Sequence, residues 1–153
     1  MSAYFFDSSG LVKRYIAETG SKWVIGLLKP SADNGIFIAS ITGVEVVSAI
    51  ARRRKGLSLS QAKAQKAIFR FQRDFRQRFV EIPLTSRLVE DAMKSADKYE
   101  LRGYDAVQLA TAIDTNRLRL RRKLSPIIFI SADNNLNSAA AIEGLTIDNP
   151  NNH

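Results

Sequence analysis

"YFFDSSGLVKRY", residues Tyr4–Tyr15, sets three aromatic side chains directly against an aspartate, two serines and a glycine. A short apolar run stopped by turn-forming residues reads as a buried strand leaving its sheet. Four more runs have that character: "IFIAS" (36–40), "FVEI" (79–82), "IIFIS" (127–131) and "LTID" (145–148), with the first strand itself spanning 3–6. Helical patterns fill the gaps near 8–16, 20–29, 42–55, 59–78, 85–100, 104–117 and 134–143. Strands separated by whole helices cannot be hairpins, so a parallel sheet with helices on both faces follows.

At 153 residues the chain suits one domain, long enough to bury about two-thirds of its unfolded surface. We expect that domain over residues 1–148, with "NPNNH" (149–153) as a loose tail. There are no cysteines, which excludes disulfides, thiolate zinc sites and thiol catalysis. The opening "MSAYFF" has no basic stretch ahead of an apolar core, and no apolar run is long enough to span a bilayer. The expectation is a cytoplasmic, soluble protein.

The net charge of +8 is unevenly spread. Arg52 to Arg78 holds ten Lys or Arg against one acid, Asp74, for +9; "RLRLRRK" (117–123) adds +5, leaving the rest of the chain at −6. Two basic segments on an acidic body suit either a polyanionic partner or two solvated helix faces. In the helix over 59–78, Ala64, Ile68, Phe71, Phe75 and Phe79 form an apolar stripe. Such a stripe is core by default, and its aromatic richness leaves room for a protein interface.

Four acids fall where the outline turns out of the sheet. Asp7 follows the first strand, Glu45 lies a short turn beyond the second in "ASITGVE", and Asp133 follows the fourth in "FISADNNL". Strand carboxyl ends share one rim of an open parallel sheet, and ligands bind there. Asp105, opening the helix in "LRGYDAVQLATA", joins them only if that helix starts at the same rim. Each acid also has a local reading. Asp7 and Asp133 suit helix N-caps, "TGVE" suits a capping box, and Asp105 suits a first helical turn.

Together the four are harder to explain locally, because two carboxylates 4 Å apart repel by about 4 kcal/mol in a surface-like dielectric. A cluster of that kind takes up protons or a cation. With no cysteine and a single terminal histidine, His153, the donors are all oxygen. That suits Mg2+ or Mn2+ rather than zinc. Carboxylate-held Mg2+ beside a basic surface points to phosphodiester hydrolysis. A serine–histidine–acid trio has no internal histidine to use.

"FFDSSGLVKRY", "TGVEVVSAIARRR", "LRGYDAVQLATA" and "FISADNNLNSAAAIEGL" resemble, in order, the four signature blocks of PIN-domain ribonucleases. The nearest likeness is to the VapC-type toxins of toxin–antitoxin pairs. The resemblance runs from about Tyr4 to Asp148 and implies a three-layer α/β/α sandwich with a mostly parallel sheet. It further implies a Mg2+- or Mn2+-dependent endoribonuclease whose acidic site is Asp7, Glu45, Asp105 and Asp133. Asp7 and Asp105 would be the direct metal ligands, and Glu45 and Asp133 would complete the pocket. Ser9 would be a supporting hydroxyl, with a plain turn hydroxyl as its other reading. An RNA substrate, a cognate antitoxin and a homodimer are also implied.

Two positions depart from the pattern. Gln108 stands where many relatives carry histidine, and Asn135 where some carry a further acid. One-ion and two-ion arrangements both stay open. A dehalogenase-type phosphatase would need an acid where Ser9 stands, and a receiver domain a lysine that "FISADN" lacks. An RNA-processing nuclease without a toxin role, and a non-catalytic nucleic-acid or partner-binding module, remain as alternatives.

Overall fold

The run Ala3–Phe6 becomes the central strand of the sheet in a computed structural model that describes all 153 residues. Strands β1 (Ala3–Phe6), β2 (Gly35–Ala39), β3 (Val80–Ile82), β4 (Ile127–Ile130) and β5 (Thr146–Asp148) lie in the order β3-β2-β1-β4-β5. Every pairing is parallel, as the whole-helix spacing requires. The chain turns one way from β1 to reach β2 and the other way to place β4, so the carboxyl end of β1 is the topological switch point.

Seven helices cover the sheet: α1 (Ser8–Leu11), α2 (Ser21–Leu27), α3 (Ile41–Lys55), α4 (Gln61–Gln77), α5 (Ser86–Tyr99), α6 (Gly103–Arg121) and α7 (Asn134–Ile142). The period-2 alternation of the strands splits the core between two faces. Phe6, Ile36, Ile38 and Ile130 pack with Leu11, Val24, Val46, Ile50 and Phe71 from α1 to α4. Ala3, Phe5, Ile127 and Phe129 pack with Leu109, Leu136 and Ala140 from α6 and α7. Phe5, Phe6 and Phe129 are completely buried, each contributing about 1.5–3 kcal/mol. Helix α5 rides on α6 through Ala92, Ala106 and Ala110. The architecture is the expected α/β three-layer sandwich, with its sheet wholly parallel.

Three local differences bear on function. The pattern predicts one helix over 8–16; α1 instead ends at Leu11 and passes into a 3-10 turn at Val12–Arg14. Gly10 allows this tight first turn, because a Cβ there would lie 2.8 Å from the carbonyl oxygen of Ile130. Helix α6 runs four residues past the expected 117, through most of "RLRLRRK", since cations in a last turn favour the helix. The tail 149–153 is not loose. Residues Pro150–Asn152 form a 3-10 turn, Pro150 is buried, and His153 stacks on Trp23 at 4.0 Å while pairing with Asp148 at 2.9 Å. Gly20 makes room for that return: its φ is +83°, and a Cβ would meet the Pro150 carbonyl oxygen at 2.1 Å.

The aromatic stripe of α4 is core. Phe71 and Ala64 are buried, and Ile68, Phe75 and Phe79 pack against the same cluster. That is the default reading of the stripe, and the ring α4 exposes is Phe69, on another face. No helix is long and apolar enough to cross a membrane.

Candidate functional site

Asp7, Glu45 and Asp133 follow β1, β2 and β4 onto the carboxyl-end rim, and α6 begins at that rim and brings Asp105. Asp7 sits at the switch point, buried, with both oxygens bonded. Oδ1 accepts from the Gly10 amide at 2.8 Å and Ser9 Oγ at 2.8 Å; Oδ2 accepts from Ser131 Oγ at 2.8 Å and Ser9 Oγ at 2.9 Å. Burial nonetheless pushes its pKa up to about 7, the bonds pulling the other way and Glu45 adding a smaller upward push.

Glu45 is half-buried. Its Oε1 accepts from Gln108 Nε2 at 2.8 Å and its Oε2 from Ser8 Oγ at 3.1 Å. The capping box read from "TGVE" does not form. Helix α3 starts earlier, at Ile41, which places Thr42 inside it, and the Glu45 side chain turns toward α1 and α6. Its pKa is raised, first by burial and then by Asp105 against the two hydrogen bonds. That of Asp105 is raised by burial and by Asp133, with the Arg102 guanidinium opposing. Asp133 also caps α7, its Oδ1 accepting from the Leu136 amide at 3.0 Å.

The four acids thus form a chain, Asp7 to Glu45 to Asp105 to Asp133, each feeling the charge of the next. They do not form one knot. No three acidic side chains converge tightly enough to enclose a metal ion unaided. This corrects the single pocket expected of them, and the reason is local. Serines hold Asp7, Ser8 and Gln108 hold Glu45, and Asp105 shares a separate depression with Asp133. The donors still fit a hard divalent cation, being all oxygen and mutually repelling. Mg2+ in particular is usually held by one or two carboxylates with several waters and substrate oxygens.

Beside Glu45 opens a cleft of about 440 Å3 lined by Ser8, Ser9, Arg52, Arg53, Arg102 and Tyr104, among others. Arg102 also borders the depression of Asp105 and Asp133, bridging the two halves of the acidic chain. Arg53 is tied to Glu18 at 2.7 Å, whereas Arg52 and Arg102 form no ion pair. The second basic segment is elsewhere. Sixteen residues of helix separate Arg121 from Asp105, about 24 Å at 1.5 Å per residue. Arg119 is spent on structure, its Nε donating to the Ser125 carbonyl at 2.8 Å and its guanidinium lying over Phe37 at 5.3 Å.

Three further groups at the site were not singled out from the sequence for the roles they have here. Ser131, fully buried, donates to Asp7 Oδ2 and accepts from the Asp133 amide at 3.0 Å, joining two of the acids. Its position just ahead of Asp133 is the signal. Gln108 bridges Thr42 Oγ1 and Glu45 Oε1, both at 2.8 Å, which answers what a glutamine does at that position. It lies three residues after Asp105 on the same helix face, the one amide side chain in "AVQLATA". Ser8, a turn former by residue type, reaches Glu45.

Comparison with known proteins supplies the relationship. The PIN domain family model matches residues 4–142. Among solved structures the chain resembles VapBC2 from Rickettsia felis, bound to a promoter DNA fragment, with TM-score 0.62, 15% identity and coverage of 96% of this chain and 98% of that one. It also resembles a toxin–antitoxin complex from Klebsiella pneumoniae (TM-score 0.60, 22% identity, 96% and 97% coverage). A third match is VapC20 of Mycobacterium tuberculosis, a sarcin–ricin loop cleaving toxin (TM-score 0.60, 16% identity, 90% and 95% coverage). A search of curated proteins by sequence gave no match. At these identities the solved structures establish a shared fold, while the family match covers nearly the whole chain, four acidic blocks included: the protein belongs to the PIN domain family.

Proposed function

We propose that the chain is a divalent-metal-dependent endoribonuclease acting as the toxin of a toxin–antitoxin pair. The observation that carries the catalytic part is a chain of four carboxylates, three of them (Asp7, Glu45 and Asp105) with pKa values raised by burial, beside a cleft holding the free cations Arg52 and Arg102. Perturbed acids along a concave surface mark a reactive site. Support for the toxin role comes from the neighbours, one of which is a toxin–antitoxin complex by name and another a toxin. The same neighbours support an antitoxin partner; a homodimer is part of the reading.

Asp7 and Asp105 would hold Mg2+ or Mn2+, with Asp133 beside Asp105 and Ser9 and Ser131 fixing the carboxylate of Asp7. Such an ion supplies charge neutralisation at phosphate and makes a nearby water more acidic. Arg52 and Arg102 bind the RNA phosphates that enter the cleft. Glu45 is placed to take a proton from the attacking water at Oε1 or Oε2, because its raised pKa brings it nearer the operating pH. Gln108 and Ser8 hold it in one orientation.

The test is incubation of the purified protein with total cellular RNA, with and without Mg2+, beside Asp105→Asn. Metal-dependent cleavage lost in the variant is expected. No cleavage with Mg2+ present, or Mg2+-dependent cleavage equal in wild type and Asp105→Asn, would remove the proposal.

A further inference from the structure

Helix α4 carries charge that neither the core nor the cleft uses. Lys63, Lys66, Arg70, Arg73 and Arg76 fall within one outward sector about 140° wide at 100° per residue. The one acid of the helix, Asp74, points inward, 1% exposed and bonded to the Tyr15 hydroxyl at 2.9 Å. Arg73 reaches it at 3.3 Å; the other four cations form no ion pair. Amid them stands Phe69, 65% exposed, with Lys66 and Arg73 one helical turn to either side.

The sector also connects to the cleft. Lys63, Lys66 and Arg70 line a groove of about 350 Å3 whose opposite wall is Tyr15, Ile16 and Ala17. The next residue, Glu18, lines the catalytic cleft together with Arg53. Ser58, also in the groove, donates its hydroxyl to the Arg53 carbonyl at 3.2 Å. Groove and cleft therefore flank the same short segment.

We propose that this face of α4 is a second contact site for the RNA strand, separate from the acids, which holds the single-stranded segment leaving the cleft. Phe69 stacks one unpaired base, and Lys66, Arg70 and Arg73 bind the phosphates beside it. A ring set among cations with no acid beside it suits a strand of alternating bases and phosphates. A protein partner would seek an apolar stripe at the centre of its contact, and Phe69 is the only large apolar side chain α4 exposes. The proposal rests on the nuclease reading and extends its substrate contacts beyond the scissile bond.

The experiment measures anisotropy of labelled oligouridylates of about four and about sixteen nucleotides, bound to Asp105→Asn protein so that no strand is cut. The longer strand should bind more tightly. Adding Phe69→Ala should weaken it at least about fivefold and leave the shorter strand unchanged. Neutralising Lys66, Arg70 and Arg73 to Gln should flatten the slope of log affinity against log salt by about 2 for the longer strand. Equal affinity for both lengths, or variants that bind the longer strand as well as the parent does, would overturn the proposal. So would a triple variant that keeps its RNA affinity and instead loses a co-expressed protein partner. Wild-type cleavage of total RNA is scored separately. Cleavage with an indifferent α4 removes only this inference, whereas length-dependent binding without cleavage removes only the nuclease reading.

Discussion

At the carboxyl-end rim of the sheet, Asp7, Glu45 and Asp105 are all held above the ordinary carboxylate range, and Arg52 and Arg102 beside them form no ion pair. At the opposite rim the basic run 117–123 closes a helix. There Arg119 donates to the Ser125 carbonyl and lies over Phe37. Gln108 sharpens the contrast, since its Oε1 is buried without a partner at the acidic rim while its amide nitrogen serves Glu45. One rim holds carboxyls with raised pKa values and an unsatisfied amide oxygen, which costs stability; at the other, one arginine, Arg119, holds a loop. The two rims thus serve different ends, and substitutions at them should separate activity from stability.

The largest effect expected is at the acidic rim. Asp105→Asn should lower RNA cleavage by more than the roughly 100-fold that loss of a metal ligand's outer partner can cost, with the thermal midpoint unchanged or raised. A variant that unfolds instead would place Asp105 among the structural charges and erase the contrast.

Next comes Gln108→Leu, expected to lower cleavage about 10-fold by freeing Glu45. Burial already raises the Glu45 pKa and the Gln108 bond opposes it. Removing that bond should therefore move the acid limb of the pH–rate profile to higher pH. A profile that falls in height without moving would deny Glu45 the proton-accepting role.

A smaller effect distinguishes the two sets of cations. Arg52→Gln should flatten the salt dependence of RNA binding by about 0.7 for one lost single-strand phosphate contact, and Arg121→Gln should leave it alone. Equal slopes for the two variants would break the comparison outright.

Asp7 provides a pH test of the same contrast. Its folded pKa of about 7 lies above the ordinary 3.8, so the folded chain binds the proton that the unfolded chain gives up. The stability this group contributes is complete below about pH 4 and is lost as pH rises through 7. Metal-free protein should melt at progressively lower temperature across that range, and Asp7→Asn should flatten the decline. Smallest of all, Arg119→Ala should cost about 1 kcal/mol, lowering the midpoint by about 2–4 °C with cleavage intact.

The fold was legible because its signals are local. Short apolar strands alternating with long periodic helices admit a parallel sheet and little else, and each strand and helix was placed to within a few residues. The limits of α1 and α6 were not legible. The first depends on Gly10 meeting the Ile130 carbonyl, the second on how far a helix projects before its loop must return to β4. The tail escaped too, since a five-residue polar end shows nothing of the Trp23 ring that receives His153.

By itself the sequence determined the sheet, its parallel sense and the turn positions of Asp7, Glu45 and Asp133, because strand ends and turn formers are encoded within a few residues of one another. Tertiary structure alone decided that Asp105 starts its helix at the same rim, that Ser131 bonds Asp7 and Gln108 bonds Glu45, and that one basic segment borders the acids while the other lies a helix length away. The physical reason is that burial, charge coupling and distance between remote segments are properties of packing. No spacing along a chain states how far two helix ends lie from each other across a sheet.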